Sequence, residues 1–231
     1  MTHSSKNPNI FGIAFATILL AASSLPLAVS IQQSPTLAAS IQVKKTQQIA
    51  QGQSVTLKNL QAAYNGESNA HARYLAFAKK AQEEGYGQVA SLFRATARAE
   101  AIHRDNHAAV IRQMGGTPQN KIETPQVKST KENLQAAIKG ESYERDTMYP
   151  QFLAQAKKEG NKAAVRTFDF AVVTESGHAK LYSSASNNLA AWKGGSKTFY
   201  VCPECGLTVA LIDFEKCSEC GEPKGKFEKI T

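Results

Sequence analysis

The chain has 231 residues, an ordinary globular composition and a formal net charge of +8, which leaves room for one main domain and a small second one. Its basic residues are dispersed among acidic ones with no aromatic-interleaved basic patch, which argues against nucleic acid as a partner. The excess charge reads as a Lys-rich solvated helical surface, or as attraction for an acidic redox protein.

The first 30 residues have the three parts of an export signal. A polar start bearing Lys6 precedes the apolar run Ile10–Ala22, and small-residue cleavage options follow at Ala28-Val29-Ser30 and Ala38-Ala39-Ser40. The run is short for a membrane span. The expectation is therefore a cleaved signal and an extracytoplasmic, periplasmic-type location, with an uncleaved membrane anchor as the variant. Residues 31–53, rich in Gln, Ser and Ala, read as a linker.

From Thr56 the pattern is helical. Leu57, Leu60, Tyr64, Glu67, His71, Tyr74, Ala78 and Ala81 recur at three and four spacing down one face. Gly85 or Gly87 ends this stripe. The next one runs Val89, Phe93, Thr96, Glu100, His103, His107, Val110 and Met114, and stops at Gly115-Gly116. A third helix starts near Ser129 or Thr130, where Ser129-x-x-Glu132 makes a capping box. It carries Leu134, Ile138, Glu141, Met148 and Phe152, with a kink expected at Pro150. The fourth carries Val165, Phe168, Val172, Glu175, Ala179 and Tyr182, with a weaker tail to Trp192. Between helices two and three lie about 14 residues, enough at ~3.3 Å each to run the length of the bundle. The predicted fold class is mainly α: a ferritin-like four-helix bundle with one long crossover over residues 54–193, plus a small C-terminal metal module over 194–231.

The bundle is written twice. Gly66-Glu67-Ser68 followed by Glu100-x-x-His103 returns as Gly140-Glu141-Ser142 followed by Glu175-x-x-His178. The offset is 74 residues from Glu67 to Glu141 and 75 from Glu100 to Glu175, a slip of one. Glu-x-x-His puts both side chains on one helical face. Two such helices, with one Glu from each of the other two, provide the ligand set of a carboxylate-bridged di-iron site. The candidate ligands are Glu67, Glu100, His103, Glu141, Glu175 and His178. Glu144 is a seventh, since Glu141-x-x-Glu144 has no counterpart at Ala70. His71 and His107 break the repeat and read as groups near the ligands rather than ligands. Tyr64, Tyr74 and Tyr143 are candidates for hydrogen bonds to the carboxylates or for plain packing.

All four cysteines fall in the last 30 residues, as Cys202-x-x-Cys205 and Cys217-x-x-Cys220. The spacing indicates a tetrahedral all-thiolate metal site and leaves iron against zinc open. So short a module needs its metal to fold.

Together, Gly66-Glu67-Ser68-Asn69-Ala70-His71-Ala72-Arg73-Tyr74, the ligands Glu100, His103, Glu141, Glu144, Glu175 and His178, and the tail Cys-Pro-Glu-Cys-Gly … Cys-Ser-Glu-Cys-Gly-Glu-Pro-Lys-Gly-Lys-Phe-Glu resemble the rubrerythrins, over roughly residues 54–231. The resemblance implies two irons in the bundle and a rubredoxin-like iron on Cys202, Cys205, Cys217 and Cys220, zinc being the other occupant weighed. It implies an oxidoreductase, a peroxidase that reduces hydrogen peroxide to water and draws electrons, indirectly from NAD(P)H, through a redox protein donor. It also implies a homodimer in which the tail of one chain sits near the di-iron site of the other. Two other readings stand beside it: a ferroxidase or iron-handling protein with a structural zinc tail, and a non-enzymatic exported metal-binding interaction protein.

Overall fold

The computed structural model describes residues 54–231. The signal or anchor read over 1–30 and the linker over 31–53 lie outside these residues. Five α-helices build the bundle: α1 (Val55–Glu83), α2 (Gly87–Gln113), α3 (Thr130–Tyr143), α4 (Tyr149–Lys158) and α5 (Lys162–Asn187). Local chemistry sets their ends. The Ser54 hydroxyl accepts the Leu57 N–H at 3.0 Å and starts α1. Ser129 and Glu132 close the expected capping box of α3, and Asn161 caps α5 through the Ala164 N–H at 2.9 Å. The turn between α1 and α2 is made by Gly85, at φ +78°.

The crossover between α2 and α3 is held to α1 by a ladder of amide side chains. Gln61 donates to the Thr117 carbonyl and accepts from the Gln119 N–H, and Asn65 accepts from the Lys121 N–H. One turn further along, Asn69 accepts from the Glu123 N–H. These residues are four apart, so one face of α1 pairs an extended strand of backbone along its length. The strand ends beside the far end of α1, where the Thr130 N–H donates to Glu84 at 2.8 Å.

Pro150 produces a π-helical segment rather than a simple kink. Residues Glu144–Met148 are π-helical, with the Tyr149 N–H reaching the Glu144 carbonyl, and α4 follows directly. Pro150 has no N–H to offer the helix interior, and one extra residue in the turn accommodates it. That extra residue also accounts for the one-residue slip of the internal repeat.

The tail is a three-stranded antiparallel sheet in the order β2-β1-β3, with β1 (Phe199–Val201), β2 (Thr208–Val209) and β3 (Glu228–Ile230). It packs on the bundle of its own chain. Phe199 and Val201 are buried in the same cluster as Phe77, Phe93 and Tyr182. Arg98 clamps Glu228 with two hydrogen bonds of 2.6 and 2.8 Å, and backbone bonds tie Gly194 to Gly85 and Gly87. The short tether after α5 is pinned at the α1–α2 turn, which lays the tail against the bundle of its own chain.

Candidate metal centres

The core of the bundle is divided. Leu57, Leu60, Ile111, Tyr149 and Phe168 fill one end; Tyr74, Phe77, Phe93, Leu134 and Tyr182 fill the other. Between them four of the five helices each contribute a buried acid: Glu67 from α1, Glu100 from α2, Glu141 from α3 and Glu175 from α5. His103 and His178 complete the layer and are buried too. The periodicity that forms the helices is thus the one that aims these six side chains inward.

The donor atoms fall into two sets, each within 4.8 Å: Glu67, Glu100, His103 and Glu175 in one, Glu100, Glu141, Glu175 and His178 in the other. Glu100 and Glu175 belong to both. Glu100 turns one oxygen to His103 Nδ1 at 2.9 Å and the other to His178 Nδ1 at 3.3 Å. Glu175 does the same, at 3.0 and 2.8 Å. Glu67 stands at the His103 end and Glu141 at the His178 end.

Burial and mutual repulsion load this layer. Burial, then the charges of Glu100 and Glu175, hold the Glu67 carboxyl well above the usual carboxylate range; burial, then Glu175 and Glu100, do the same for Glu141. Burial disfavours charge on His103 and His178, yet the facing carboxylates outweigh it and raise both imidazoles. Burial opposes charge on Glu175 as well, but His103 and His178 override it and hold its carboxyl well below the usual range. One oxygen each of Glu67, Glu100, Glu141 and Glu175 has no hydrogen-bond partner. Four carboxylates, two imidazoles and four orphaned oxygens in a dry layer fit a pair of dications, which would neutralise the acids and occupy those oxygens.

The far side of each imidazole fixes its orientation. His103 Nε2 donates to the Cys205 carbonyl at 3.1 Å and to the Thr174 hydroxyl at 2.9 Å, that hydroxyl giving its own proton to a backbone carbonyl. His178 Nε2 donates to the Thr208 hydroxyl at 3.2 Å. With Nε2 committed to these bonds, Nδ1 is the nitrogen presented to the carboxylates.

Two tyrosines also reach the layer. Tyr74 donates to Glu141 at 2.5 Å, and Tyr149 donates to Glu67. Tyr74 was among the sequence candidates. Tyr143 is 57% exposed, and Tyr64 is half-buried and packs against the apolar cluster beside Glu67. Tyr149 was missed: strict spacing put Met148 on the buried line, and the π segment turns Tyr149 there instead. Glu144, expected as a seventh ligand, lies outside both donor sets; it is half-buried on the π segment. Burial, then Glu67, raises its carboxyl well above the usual range. His71 bonds the Ala97 carbonyl at 2.7 Å, and His107 bonds Tyr149 and Thr167. Neither histidine is in the donor sets.

In the tail, Cys202, Cys205, Cys217 and Cys220 form the third cluster, free of disulfides. Their Sγ atoms approach to 3.4 Å (Cys202–Cys220) and 3.6 Å (Cys205–Cys217). These separations are far beyond a disulfide bond and close to the roughly 3.8 Å edge of a tetrahedron with metal–sulfur bonds near 2.3 Å. Each Cys-x-x-Cys ends in a glycine at positive φ, Gly206 at +82° and Gly221 at +81°. Their N–H groups close the two turns onto the Cys202 and Cys217 carbonyls at 3.0 Å. The chain thus presents di-iron-type Glu/His clusters and a four-cysteine, rubredoxin-like site.

The family pattern of rubrerythrin matches residues 58–186. Nigerythrin of Nitratidesulfovibrio vulgaris is 44% identical over 173 residues, covering 74% of this chain and 85% of that one. Rubrerythrin-2 of Clostridium acetobutylicum is 37% identical, covering 75% and 96%. Among solved structures, fully reduced, all-ferrous nigerythrin superimposes with a TM-score of 0.71 at 43% identity, covering 77% of this chain and 89% of that one.

These relatives correct one expectation. An exported, periplasmic or membrane-anchored protein is overturned, because rubrerythrin homologues are cytoplasmic proteins of anaerobes. Nothing in the comparisons supports a signal peptide over 1–30. Among the described residues, no helix is long and apolar enough to cross a membrane. The ferritin-like bundle, the duplicated Glu/His layer and the four-cysteine tail place this chain in the rubrerythrin family, the di-iron oxidoreductases of oxidative stress.

Proposed function

We propose that this chain is a di-iron peroxidase that reduces hydrogen peroxide to water, with reducing equivalents reaching it through the four-cysteine tail. The observation that carries the reading is the sharing of Glu100 and Glu175 between two histidine-ended donor sets. Glu67, Glu100, His103 and Glu175 would hold one iron, and Glu100, Glu141, Glu175 and His178 the other. Cys202, Cys205, Cys217 and Cys220 would hold a third. When bound, the ferrous pair supplies the two electrons that peroxide reduction needs, and the thiolate-held iron restores them one at a time.

The chain's own groups do the rest. Glu100 and Glu175 hold the two sets at a fixed separation, while Tyr74 and Tyr149 orient the terminal carboxylates. The apolar clusters on either side exclude bulk water and strengthen every charge interaction inside. The Cys205 carbonyl meets His103 directly, so the thiolate loop and the carboxylate layer share a hydrogen bond rather than a solvent gap. Burial, then the charge of Glu67, holds the Glu144 carboxyl well above the usual carboxylate range at the edge of the layer. The electron donor on this reading is a small redox protein charged indirectly from NAD(P)H, and the assembly is a homodimer.

Rapid mixing of the iron-loaded, fully reduced protein with peroxide or with O2 tests the reading. Oxidation faster with peroxide than with O2, with about three irons per chain, is expected. Preferential oxidation by O2 with zinc in the tail would replace it by the ferroxidase reading.

A further inference from the structure

His107 has no place in either donor set, yet it is fully buried. Its Nε2 lies 3.1 Å from the Tyr149 hydroxyl, and its Nδ1 lies 3.0 Å from the Thr167 hydroxyl. The Tyr149 proton is already committed, because Tyr149 donates to Glu67. Tyr149 can therefore only accept from His107, which makes His107 the Nε2–H tautomer. Its Nδ1 is then an acceptor, and the Thr167 hydroxyl must donate to it. Every donor in this chain of four residues points the same way, from Thr167 toward Glu67.

The outer end is not sealed. Thr167 lines a surface cleft of about 210 Å³ together with Asn106, Val110, Arg166, Phe170 and Glu204. The cleft has room for water, and its wall is polar: Arg166 pairs with Glu204 at 2.9 Å, and Asn106 donates to the Glu204 carbonyl at 2.8 Å. The inner end is Glu67, whose second oxygen has no partner.

We infer that Thr167, His107 and Tyr149 form a proton wire from this cleft to Glu67. The inference rests on the peroxidase reading, in which peroxide, two electrons and two protons give two waters. In one passage a cleft water gives a proton to the Thr167 oxygen, whose own proton moves to His107 Nδ1. The Nε2 proton moves to Tyr149, and the Tyr149 proton moves to Glu67. Each relay atom gains one proton and loses one, so the net transfer is one proton to Glu67 from the cleft water, whose hydroxide is released to bulk solvent. A half-turn of the ring, which presents its remaining N–H to Tyr149 and its bare nitrogen to Thr167, and rotation of the two hydroxyls to their first orientation reset the path. A neutral ring is required, and burial, with His103 nearby, supplies it by pushing the imidazole down to about 3.

Imidazole nitrogen NMR on the full chain loaded with diamagnetic zinc reads the wire without turnover. The expected result is an Nε2–H tautomer at His107 whose proton exchanges with solvent. In Thr167→Val the exchange slows by roughly tenfold or more, and Thr167→Ser restores it. An Nδ1–H tautomer, or equal exchange in Thr167→Val and the parent, overturns the wire. With iron loaded, Thr167→Val should slow single-turnover oxidation by peroxide by roughly a hundredfold, the low end for a positioned proton donor. An unchanged rate despite slowed exchange overturns its role in delivery. Exchange behaving as expected in a parent protein that ignores peroxide leaves the wire standing and removes the peroxidase.

Discussion

Tyr74 and Tyr149 are counterparts across the internal repeat, and each hydrogen-bonds the glutamate of the other half. Tyr74 on α1 donates to Glu141 on α3, while Tyr149 at the start of α4 donates to Glu67 on α1. Tyr74 follows Glu67 by seven residues and Tyr149 follows Glu141 by eight. The π segment at Glu144–Met148 absorbs the difference and brings the second tyrosine round to the same face.

The exchange of hydroxyls predicts the effect of removing them. Tyr74→Phe and Tyr149→Phe each free a terminal carboxylate to rotate and leave one more buried oxygen unpaired. Metal affinity in the bundle should fall by about 10- to 100-fold in either variant, the usual effect of losing a group that orients a ligand. Competition with a calibrated chelator measures it. Unchanged affinity in both would mean that the tyrosines only fill space.

Gly206 is where the tail touches the bundle. A Cβ built there lies 2.5 Å from His103 Nε2, and the residue sits at φ +82°. Gly206→Ala must therefore push the thiolate loop off His103, and the left-handed backbone adds about 1–2 kcal/mol of strain. The expected outcome is a tail that still binds its metal but passes electrons to the bundle more slowly. Following reoxidation of the reduced tail after a peroxide pulse reports the difference.

Stability should divide between the two modules. The tail has three strands of two or three residues and a small cluster built on Cys202, Cys205, Cys217 and Phe227, too little core to stand alone. Cys217→Ser should release its metal and unfold it while the helices persist, because structural metal binding is folding energy for so small a unit. Helical ellipticity that falls together with the thiolate absorption band would show that the modules fold as one.

His107 makes stability depend on pH. Its imidazole is near 3 in the folded chain and near 6.5 in an unfolded one. The folded state prefers the neutral ring, so this contribution is complete above pH 6.5 and is lost as pH falls toward 3. Between pH 6.5 and 5 the loss is about 2 kcal/mol. Denaturant midpoints at pH 7 and pH 5 should differ less in His107→Leu than in the parent. Equal differences would exclude His107 as the source.

Much of the site could be read from the chain because helical geometry is local. An i, i+3 spacing puts Glu100 beside His103, and Glu175 beside His178, whatever else the fold does. The stripe rule puts five of the six side chains inward and the Glu175-x-x-His178 spacing adds the sixth, the Ser129–Glu132 box starts α3, and two Cys-x-x-Cys turns converge on one four-cysteine cluster. Contacts between helices are not local. Which tyrosine meets which glutamate depends on the π segment, which the one-residue slip of the repeat signals but does not locate. Only the tertiary structure shows that Glu144 lies outside both donor sets and that Thr167 faces His107 from another helix. It alone also lays the Cys205 carbonyl on His103, because that contact is set by a sheet docked more than a hundred residues along the chain. Periodicity determines the face a side chain occupies, and packing determines what it meets there.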